Sequence, residues 1–519
     1  MSKEIPGFYY DKEKNRYFPI KGPIPGSKSI RMASSASSSA NPTPPASVST
    51  VADRYSNSSS VSKLVQAREL DGNTLHLRTD RRPRCAFEAE ILSNLVSRPQ
   101  VWKFEDIDSN AECSLEIIPI NMTTPKGVTR VHVMLAGSVH GLMSSFVIGK
   151  AGEHLTYGQK CVPSLVLPGN ENNNKSDKPP AQLWRLPETC VKLPSYVSCI
   201  KSPGKPYPVR GAFGYTANYT MITTLGSGSS GGSVYVLDST RPFDSHSQGS
   251  YLQRIIYLAS LGCTIWTADC SSVDTRAVVG TNRGAALVDL RNGNVSWILR
   301  TGSDVLALQF DQSGNGLLCG LRNGVILNVD IREGHGASSM RLRNNLIPCS
   351  SPSLNVGSSS RRFFKIHGNI YSSCTVYMPK SVSSLLSLQL YDQYFLASSM
   401  DGCIKLFDQR LVGRGPVQSY EGNLNTHLRL QLGVDPLEKF VVSGGDDYSL
   451  RIWCITSGKL LFENKLFSSP PLTTRTQTAE GSIEMLDEGQ TYIDYLRKQG
   501  DCWGSWHGSR LGLFYTQWC

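Results

Sequence analysis

Turn formers followed by short apolar or alternating runs recur through most of the chain. Five segments align without gaps: Gly231-Gly-Ser-Val-Tyr-Val-Leu-Asp238, Asn282-Arg-Gly-Ala-Ala-Leu-Val-Asp289, Asn323-Gly-Val-Ile-Leu-Asn-Val-Asp330, Asp401-Gly-Cys-Ile-Lys-Leu-Phe-Asp408 and Asp447-Tyr-Ser-Leu-Arg-Ile-Trp-Cys454. Before each lies a second apolar run ending in small residues, such as Gly316-Leu-Leu-Cys-Gly320 and Phe440-Val-Val-Ser-Gly444. Strand, tight turn, strand predicts a β-hairpin, with Asp-Gly and Asn-Gly supplying the left-handed turn positions. The segment ends lie 51, 41, 78 and 46 residues apart. A pitch of about 40–45 residues is that of four-stranded propeller blades of the WD-repeat class. The 78-residue step has room for one blade plus a loop.

Two further hairpins bracket these five, 131–137 with 142–148 and 502–507 with 511–518. The pattern therefore predicts an all-β fold, a seven-bladed WD-repeat propeller over 105–519, with long loops near 150–208 and 333–380. Ring closure requires a strand near one terminus to complete the last blade, which accounts for strand pattern running almost to Cys519. Asp289, Asp330, Asp401, Asp408, Asp447 and Trp453 occupy repeat positions, where the aspartates are expected to hold turns.

The leader reads differently. Residues 1–26 contain two aromatic runs around a polar turn at 12–15, a small hairpin that is marginal in water by itself. From 27 to 62, 14 of 36 residues are serine, and Pro42, Pro44 and Pro45 interrupt regular structure. Such a stretch buries too little apolar surface to offset chain entropy and is expected to be a flexible linker. Within 63–104, Phe87, Ile91 and Leu95 recur every four residues beside Leu92 and Val96, a helical stripe ended by Pro99. Such a helix packs on the main domain or docks on a partner.

Composition adjusts this picture only slightly. Charged residues are 18% and hydrophobic residues 39%, with 46 Gly and 28 Pro, which suits hairpins and argues against a helical bundle. The net charge is +11, of which residues 1–104 carry +7 (16 Lys/Arg against 9 Asp/Glu). Arg78, Arg81, Arg82 and Arg84 cluster there, but no nucleic-acid module accompanies them, so a solvated basic leader is preferred to a nucleic-acid binder. The N-terminus lacks an apolar signal core and no run approaches the roughly 20 residues that span a bilayer, so a soluble intracellular protein is expected.

Candidate chemistry is sparse. The closest of 14 cysteines, Cys263 and Cys270, are seven apart, and neither C-x-x-C nor H-E-x-x-H occurs. Reduced thiols are expected, with no metal and no cofactor. Gly228-Ser-Ser230-Gly-Gly232 matches G-x-S-x-G, but a strand rather than a helix follows, so Ser230 belongs to a hairpin loop. No phosphate-binding loop is present, and no catalytic residue is assigned.

A second motif follows the strand ends: Val288-Asp289-Leu290-Arg291, Val329-Asp330-Ile331-Arg332 and Phe407-Asp408-Gln409-Arg410. It resembles the W-D-x-R motif of substrate receptors of cullin-four RING ubiquitin ligases, although the tryptophan is absent from all three. Pro6-Gly-Phe-Tyr-Tyr-Asp-Lys-Glu-Lys-Asn-Arg-Tyr-Phe18, Leu64-Val-Gln-Ala-Arg-Glu-Leu70 and the stretch from Asp401 through Tyr420-Glu-Gly422 are similar to the WD-repeat twenty-one family of cullin-four-associated factors. The resemblance implies a non-catalytic receptor that bridges the ligase's propeller adaptor, and through it the cullin, to a target protein, in the nucleus or cytoplasm. It implies an adaptor side made by Arg291, Arg332 and Arg410 together with the helix carrying Phe87, Ile91 and Leu95. A planar guanidinium suits such an interface; the alternative for each arginine is an ion pair with its own aspartate. The rival reading of the whole chain is a WD-repeat scaffold outside ubiquitin chemistry.

Overall fold

Each aligned turn-and-strand segment forms the middle of an antiparallel sheet, and seven such sheets make a ring. The computed structural model describes residues 8–11 and 16–19 and, between 92 and 518, all but 95, 105–106, 108–112, 125–126, 151–157, 168–180, 187–189, 204–218, 228–229, 241, 245–253, 333–343, 349–362, 369, 371–374 and 479–502. Met1–Ser59 and Ser60–Cys519 form two units. In the first, Phe8–Asp11 pairs antiparallel with Arg16–Pro19, Tyr9 opposite Phe18 and Tyr10 opposite Tyr17. The serine-rich stretch and Phe87, Ile91 and Leu95 lie outside the described residues.

The second unit is a seven-bladed β-propeller, nearly all strand. Strands are lettered a to d outward from the central channel. Blade 1 is Ser114–Thr124, Gly127–Gly137, Leu142–Lys150 and Ala181–Arg185; blade 2 is Val197–Lys201, Tyr219–Thr224, Gly232–Asp238 and Ile255–Leu261. Blade 3 is Ile265–Cys270, Arg276–Thr281, Gly284–Asp289 and Val295–Thr301; blade 4 is Val305–Phe310, Gly316–Leu321, Val325–Asp330 and Val376–Tyr377. Blade 5 is Val382–Ser387, Tyr394–Ser399, Ile404–Asp408 and Gln418–Tyr420; blade 6 is Leu432–Val434, Phe440–Gly444, Ser449–Cys454 and Leu460–Lys465. Blade 7 joins Pro471–Thr478, Trp503–Ser509 and Gly512–Trp518 to Gln100–Phe104.

That last pairing corrects the expected start at 105. Gln100–Phe104 supplies strand d of the closing blade, Gln100 opposite Gln517 and Phe104 opposite Leu513. The open edge of Gly512–Trp518 requires a partner, and the chain before blade 1 provides one. The two expected long loops also contain strands. Pro163–Leu167 adds a fifth strand to blade 7, outside Gln100–Phe104. The insertion after Asp330 sends a hairpin, Asn344–Pro348 with Phe363–Gly368, onto the outer edge of blade 3 before returning to complete blade 4.

The core is divided among the seams. Seven apolar clusters each fill the space between two neighbouring blades, such as Val305, Leu317 and Leu327 of blade 4 against Val278, Ala285 and Leu299 of blade 3. This explains the small residue near the end of strand b. A Cβ at Gly320 would sit 2.6 Å from the Val382 Cγ1 that begins the next blade, and one at Gly137 would meet Val197 at the same distance.

Alternation of strands puts every a–b and c–d connection on one face and every b–c and d–a connection on the other. The long connections, c–d in blades 1, 2 and 4 and a–b in blades 2 and 7, all leave from the first face. On the second, connections are short and tied together, as in Met378 N–H to Gly324 O (2.7 Å), Met400 N–H to Ser381 O (2.8 Å) and Asp446 N–H to Leu424 O (2.9 Å). Among the described residues no helix is long and apolar enough to cross a membrane.

Candidate protein-interaction site

The aspartate that ends strand c is a turn former first. In four successive blades its Oδ1 accepts the backbone N–H two residues on: Asp238 from Thr240 (2.9 Å), Asp289 from Arg291 (3.0 Å), Asp330 from Arg332 (2.9 Å) and Asp408 from Arg410 (2.9 Å). The residue between donates to its own blade's a–b turn: Leu290 to Thr275 O (2.9 Å), Ile331 to Asn315 O (2.9 Å) and Gln409 to Gln393 O (2.8 Å). With aspartate and middle residue both bound inward, the next side chain points to solvent. Arg291, Arg332 and Arg410 thus occupy the same corner of blades 3, 4 and 5, on the face of long connections.

Their pairing differs. Arg332 and Arg410 each grip their own aspartate in a fork, Nε to Oδ1 at 3.2 and 3.1 Å and Nη2 to Oδ2 at 2.9 Å in both. The arginine side chains nevertheless remain 64% and 66% exposed, while Asp330 and Asp408 are 13% and 6% exposed. Hydrogen bonding from Arg410 holds the Asp408 carboxyl below the ordinary carboxylate range. Arg291 makes no ion pair with a described residue, since its bond to Asp289 is through the backbone. Exposed apolar side chains stand on the same face: Val273 (66%) and Tyr391 (52%) from a–b turns and Leu411 (43%) after Arg410.

Residues 92–94 and 96 are helical and precede strand d of blade 7, so they enter from this same face. Val96 is fully buried and Leu92 half-buried against the seam of blades 6 and 7, beside Phe440, Trp503 and Trp518. The helical stripe therefore contacts the propeller at its C-terminal end. The remaining stripe residues, Phe87, Ile91 and Leu95, are outside the described residues.

The a–b turns of this face are also bonded blade to blade. Arg276 Nη2 donates to Gly314 O (3.2 Å), linking blades 3 and 4. Gln312 Nε2 donates to Leu388 O (3.1 Å) and Gln389 O (2.7 Å), linking blades 4 and 5. Glu438 accepts the N–H groups of Gln389 and Leu390 (3.0 Å for the latter), linking blades 5 and 6. The corners bearing the three arginines are thus held on one continuous platform.

Asp401 and Asp447 lie on the opposite face, where they accept the N–H groups of Cys403 (3.1 Å) and Ser449 (3.4 Å) across the b–c turns. Trp453 is fully buried in the seam of blades 5 and 6, its Nε1 donating to Glu421 O at 2.8 Å. Asp447 additionally shares Arg451 with Glu463; Nη1 reaches Asp447 Oδ1 at 3.0 Å and Nη2 reaches Glu463 Oε1 at 2.7 Å. Sequence reasoning did not single out Arg451, although its spacing of four from Asp447 was visible.

Two groups have the outward form of catalytic machinery. Ser230 Oγ contacts Ser227 Oγ at 2.6 Å in a b–c turn, and strand Gly232–Asp238 follows. Ser505 Oγ lies 2.6 Å from His507 Nε2, with Thr474 Oγ1 3.3 Å from Nδ1, but Ser505 and His507 are both fully buried. Burial lowers the His507 pKa to about 3, so the imidazole is neutral and shielded from any substrate. Nine described cysteines are free thiols, and no His/Cys/Asp/Glu cluster among the described residues is arranged to hold a metal ion.

No protein-family profile matches the chain. Part of it is similar to human "DDB1- and CUL4-associated factor 4", 30% identical over 161 residues, which cover 31% of this chain and 26% of that protein. The bovine protein of the same name is 29% identical over the same length and shares. Human "DDB1- and CUL4-associated factor 4-like protein 2" is 32% identical over 161 residues, 31% of this chain and 32% of that relative. The chain thus matches about a quarter to a third of the length of these relatives, whose names associate them with DDB1 and CUL4.

Proposed function

We propose that the chain is a non-catalytic substrate receptor of a cullin-four ubiquitin ligase, holding the propeller adaptor on one side and a target protein on the other. The observation that carries this reading is the placement of Arg291, Arg332 and Arg410 at equivalent corners of consecutive blades, on the face where residues 92–94 and 96 also enter. Partial similarity to proteins named for DDB1 and CUL4 supports it. The Arg332 and Arg410 side chains are 64% and 66% exposed, and the exposed Tyr391 and Leu411 supply apolar area on the same face. Phe87, Ile91 and Leu95 belong to the same adaptor side in this proposal. The receptor acts by effective concentration, keeping a target near the ligase's transferring enzyme, in the nucleus or the cytoplasm.

Affinity purification of the full chain tests the reading. DDB1 and CUL4 are expected in the eluate, with both lost when Arg332 and Arg410 are changed to Ala together. Recovery equal to wild type from the double variant overturns the arginine assignment. An eluate without DDB1 or cullin makes the chain a WD-repeat scaffold of another assembly.

A further inference from the structure

The face opposite the three arginines carries a backbone anomaly. In blades 1, 4, 5 and 6 the b–c turn is the same, closed by a backbone bond from its fourth residue to its first: Gly141 to Ser138 (3.2 Å), Gly324 to Leu321 (3.1 Å), Gly402 to Ser399 (3.1 Å) and Tyr448 to Gly445 (3.2 Å). The donor residue has φ of 76°, 85° and 88° at the three glycines and 67° at Tyr448. The left-handed region is uncommon for a bulky residue, and such strain concentrates where a side chain has a use. Nothing in packing demands the ring here, since Tyr448 is 37% exposed.

Its surroundings give the ring a setting. The Lys465 ammonium lies 5.3 Å from the ring centroid. Leu424 and Leu511, 56% and 54% exposed, stand on the same face. The backbone connects all three: Leu424 O accepts from Asp446 (2.9 Å), Tyr448 O accepts from Phe467 (3.3 Å), and the Leu511 N–H donates to Ser469 Oγ (3.2 Å). An aromatic and two leucines therefore span blades 5 to 7 on a rigid rim of short turns.

The connection that presents Leu424 continues to Arg429 at the channel. Arg429 Nη1 donates to Trp266 O, crossing from blade 6 to blade 3. Arg429 Nε and Trp266 Nε1 are buried without an acceptor. Burial lowers the Arg429 pKa, and no described carboxylate pairs with the guanidinium. The carboxylates around the Tyr448 turn are engaged elsewhere: Asp447 and Glu463 hold Arg451, and Asp446 accepts from Thr426. Orphan donors around a partly buried cation that lacks a carboxylate partner favour an acidic visitor.

We propose that Leu424, Tyr448 and Leu511, with Arg429 farther along the connection that carries Leu424, form a docking site for an extended peptide that carries an apolar side chain and a carboxylate. The apolar group rests on the Tyr448 rim and the carboxylate faces Arg429 at the channel mouth. The carboxylate comes from an acidic side chain or from a chain end; the recognition chemistry is the same. The site goes beyond the adaptor reading and stands without it.

The test uses the full chain on an array of decapeptides with one Leu, Phe or Trp at varied spacing from one Asp or Glu. Each peptide is printed with a free or amidated C-terminus and in a matching Asn or Gln form. Some carboxylate-bearing peptides are expected to retain the chain about tenfold more than their amide counterparts, equivalent to about 1.4 kcal/mol. A preference that follows the terminus identifies a chain end, and one that follows Asp or Glu identifies a side chain. Tyr448→Gly installs the residue of the three sister turns, so it is expected to melt at or above wild type while losing the bound peptides. Arg429→Gln is expected to bind both forms alike. Equal retention of acid and amide forms by the wild-type chain, wild-type retention by Tyr448→Gly, or a carboxylate preference surviving Arg429→Gln each overturns the proposal. Adaptor recovery by Tyr448→Gly stays at the wild-type level, whereas the Arg332/Arg410 variant keeps the peptides, so the two readings fail separately.

Discussion

Asp408 and Arg410 are joined three times across two residues, through the backbone N–H (2.9 Å), Nε (3.1 Å) and Nη2 (2.9 Å) of the arginine. The aspartate is buried and the arginine is not, so the pair divides into a structural half and a presented half. Removing each half separately distinguishes them. Arg410→Ala is expected to leave the thermal midpoint unchanged, since its head is in water and Asp408 keeps the backbone bond. Asp408→Ala is expected to lose about 1 kcal/mol in urea unfolding, because the N–H that it holds loses its acceptor.

Trp102 lies across from Tyr515 in the pairing that closes the ring. Trp102 is 3% exposed and packs with Phe104, Trp506 and Leu513 in the seam of blades 7 and 1. Trp102→Ala is expected to cost about 3–5 kcal/mol. Trp102→Phe should cost clearly less, because the indole Nε1 has no partner to lose. Urea unfolding checks both. A chain beginning at residue 105 should unfold at markedly lower denaturant than one beginning at 92, having lost strand d of its last blade.

His507 makes stability fall in mild acid. Its folded pKa is lowered to about 3 against 6.5 for the free side chain, so the unfolded chain binds the extra proton between those values. The contribution is present above about pH 6.5 and is lost as pH falls toward 3. His507→Gln removes the titration. The stability gap between wild type and variant should therefore close by up to about 1.4 kcal/mol per pH unit below 6.5. Denaturant midpoints taken from pH 7.5 to 4.5 test the sign; a gap independent of pH contradicts a buried neutral imidazole.

Arg451 is 2% exposed and is held by two carboxylates that are 29% and 48% exposed. Arg451→Met is expected to destabilise by roughly 2 kcal/mol, below the 3–5 typical of a fully buried pair, because water reaches the freed Asp447 and Glu463. Arg451→Lys should not restore wild-type stability, since one ammonium cannot fork to both acids. Thermal unfolding of the two variants provides the comparison.

The hairpins at Asn323-Gly324 and Asp401-Gly402 were legible because their turn chemistry and alternation lie within a dozen residues. Five blades were legible from the same local pattern, and two weaker bracketing hairpins brought the expected count to seven. Strands Gln100–Phe104 and Pro163–Leu167 and the hairpin on blade 3 were not. Each is an edge whose pairing partner comes from another part of the chain, and a five-residue run carries too little periodicity to announce it. The D-x-R motif was visible at Asp289, Asp330 and Asp408, but the sequence did not distinguish the forked Arg332 and Arg410 from Arg291, whose side chain is in no such fork.

The sequence by itself determined an all-β ring of about seven blades and the corner at which each repeated aspartate and arginine would sit. Those features follow from short-range turn geometry and strand alternation. Only the tertiary structure decided the rest: the closure through Gln100–Phe104, the single face that takes every long connection, the neutral His507 and the orphan donors at Arg429. Burial and desolvation belong to the seams and the channel. Those exist only once blades distant in sequence have closed around them.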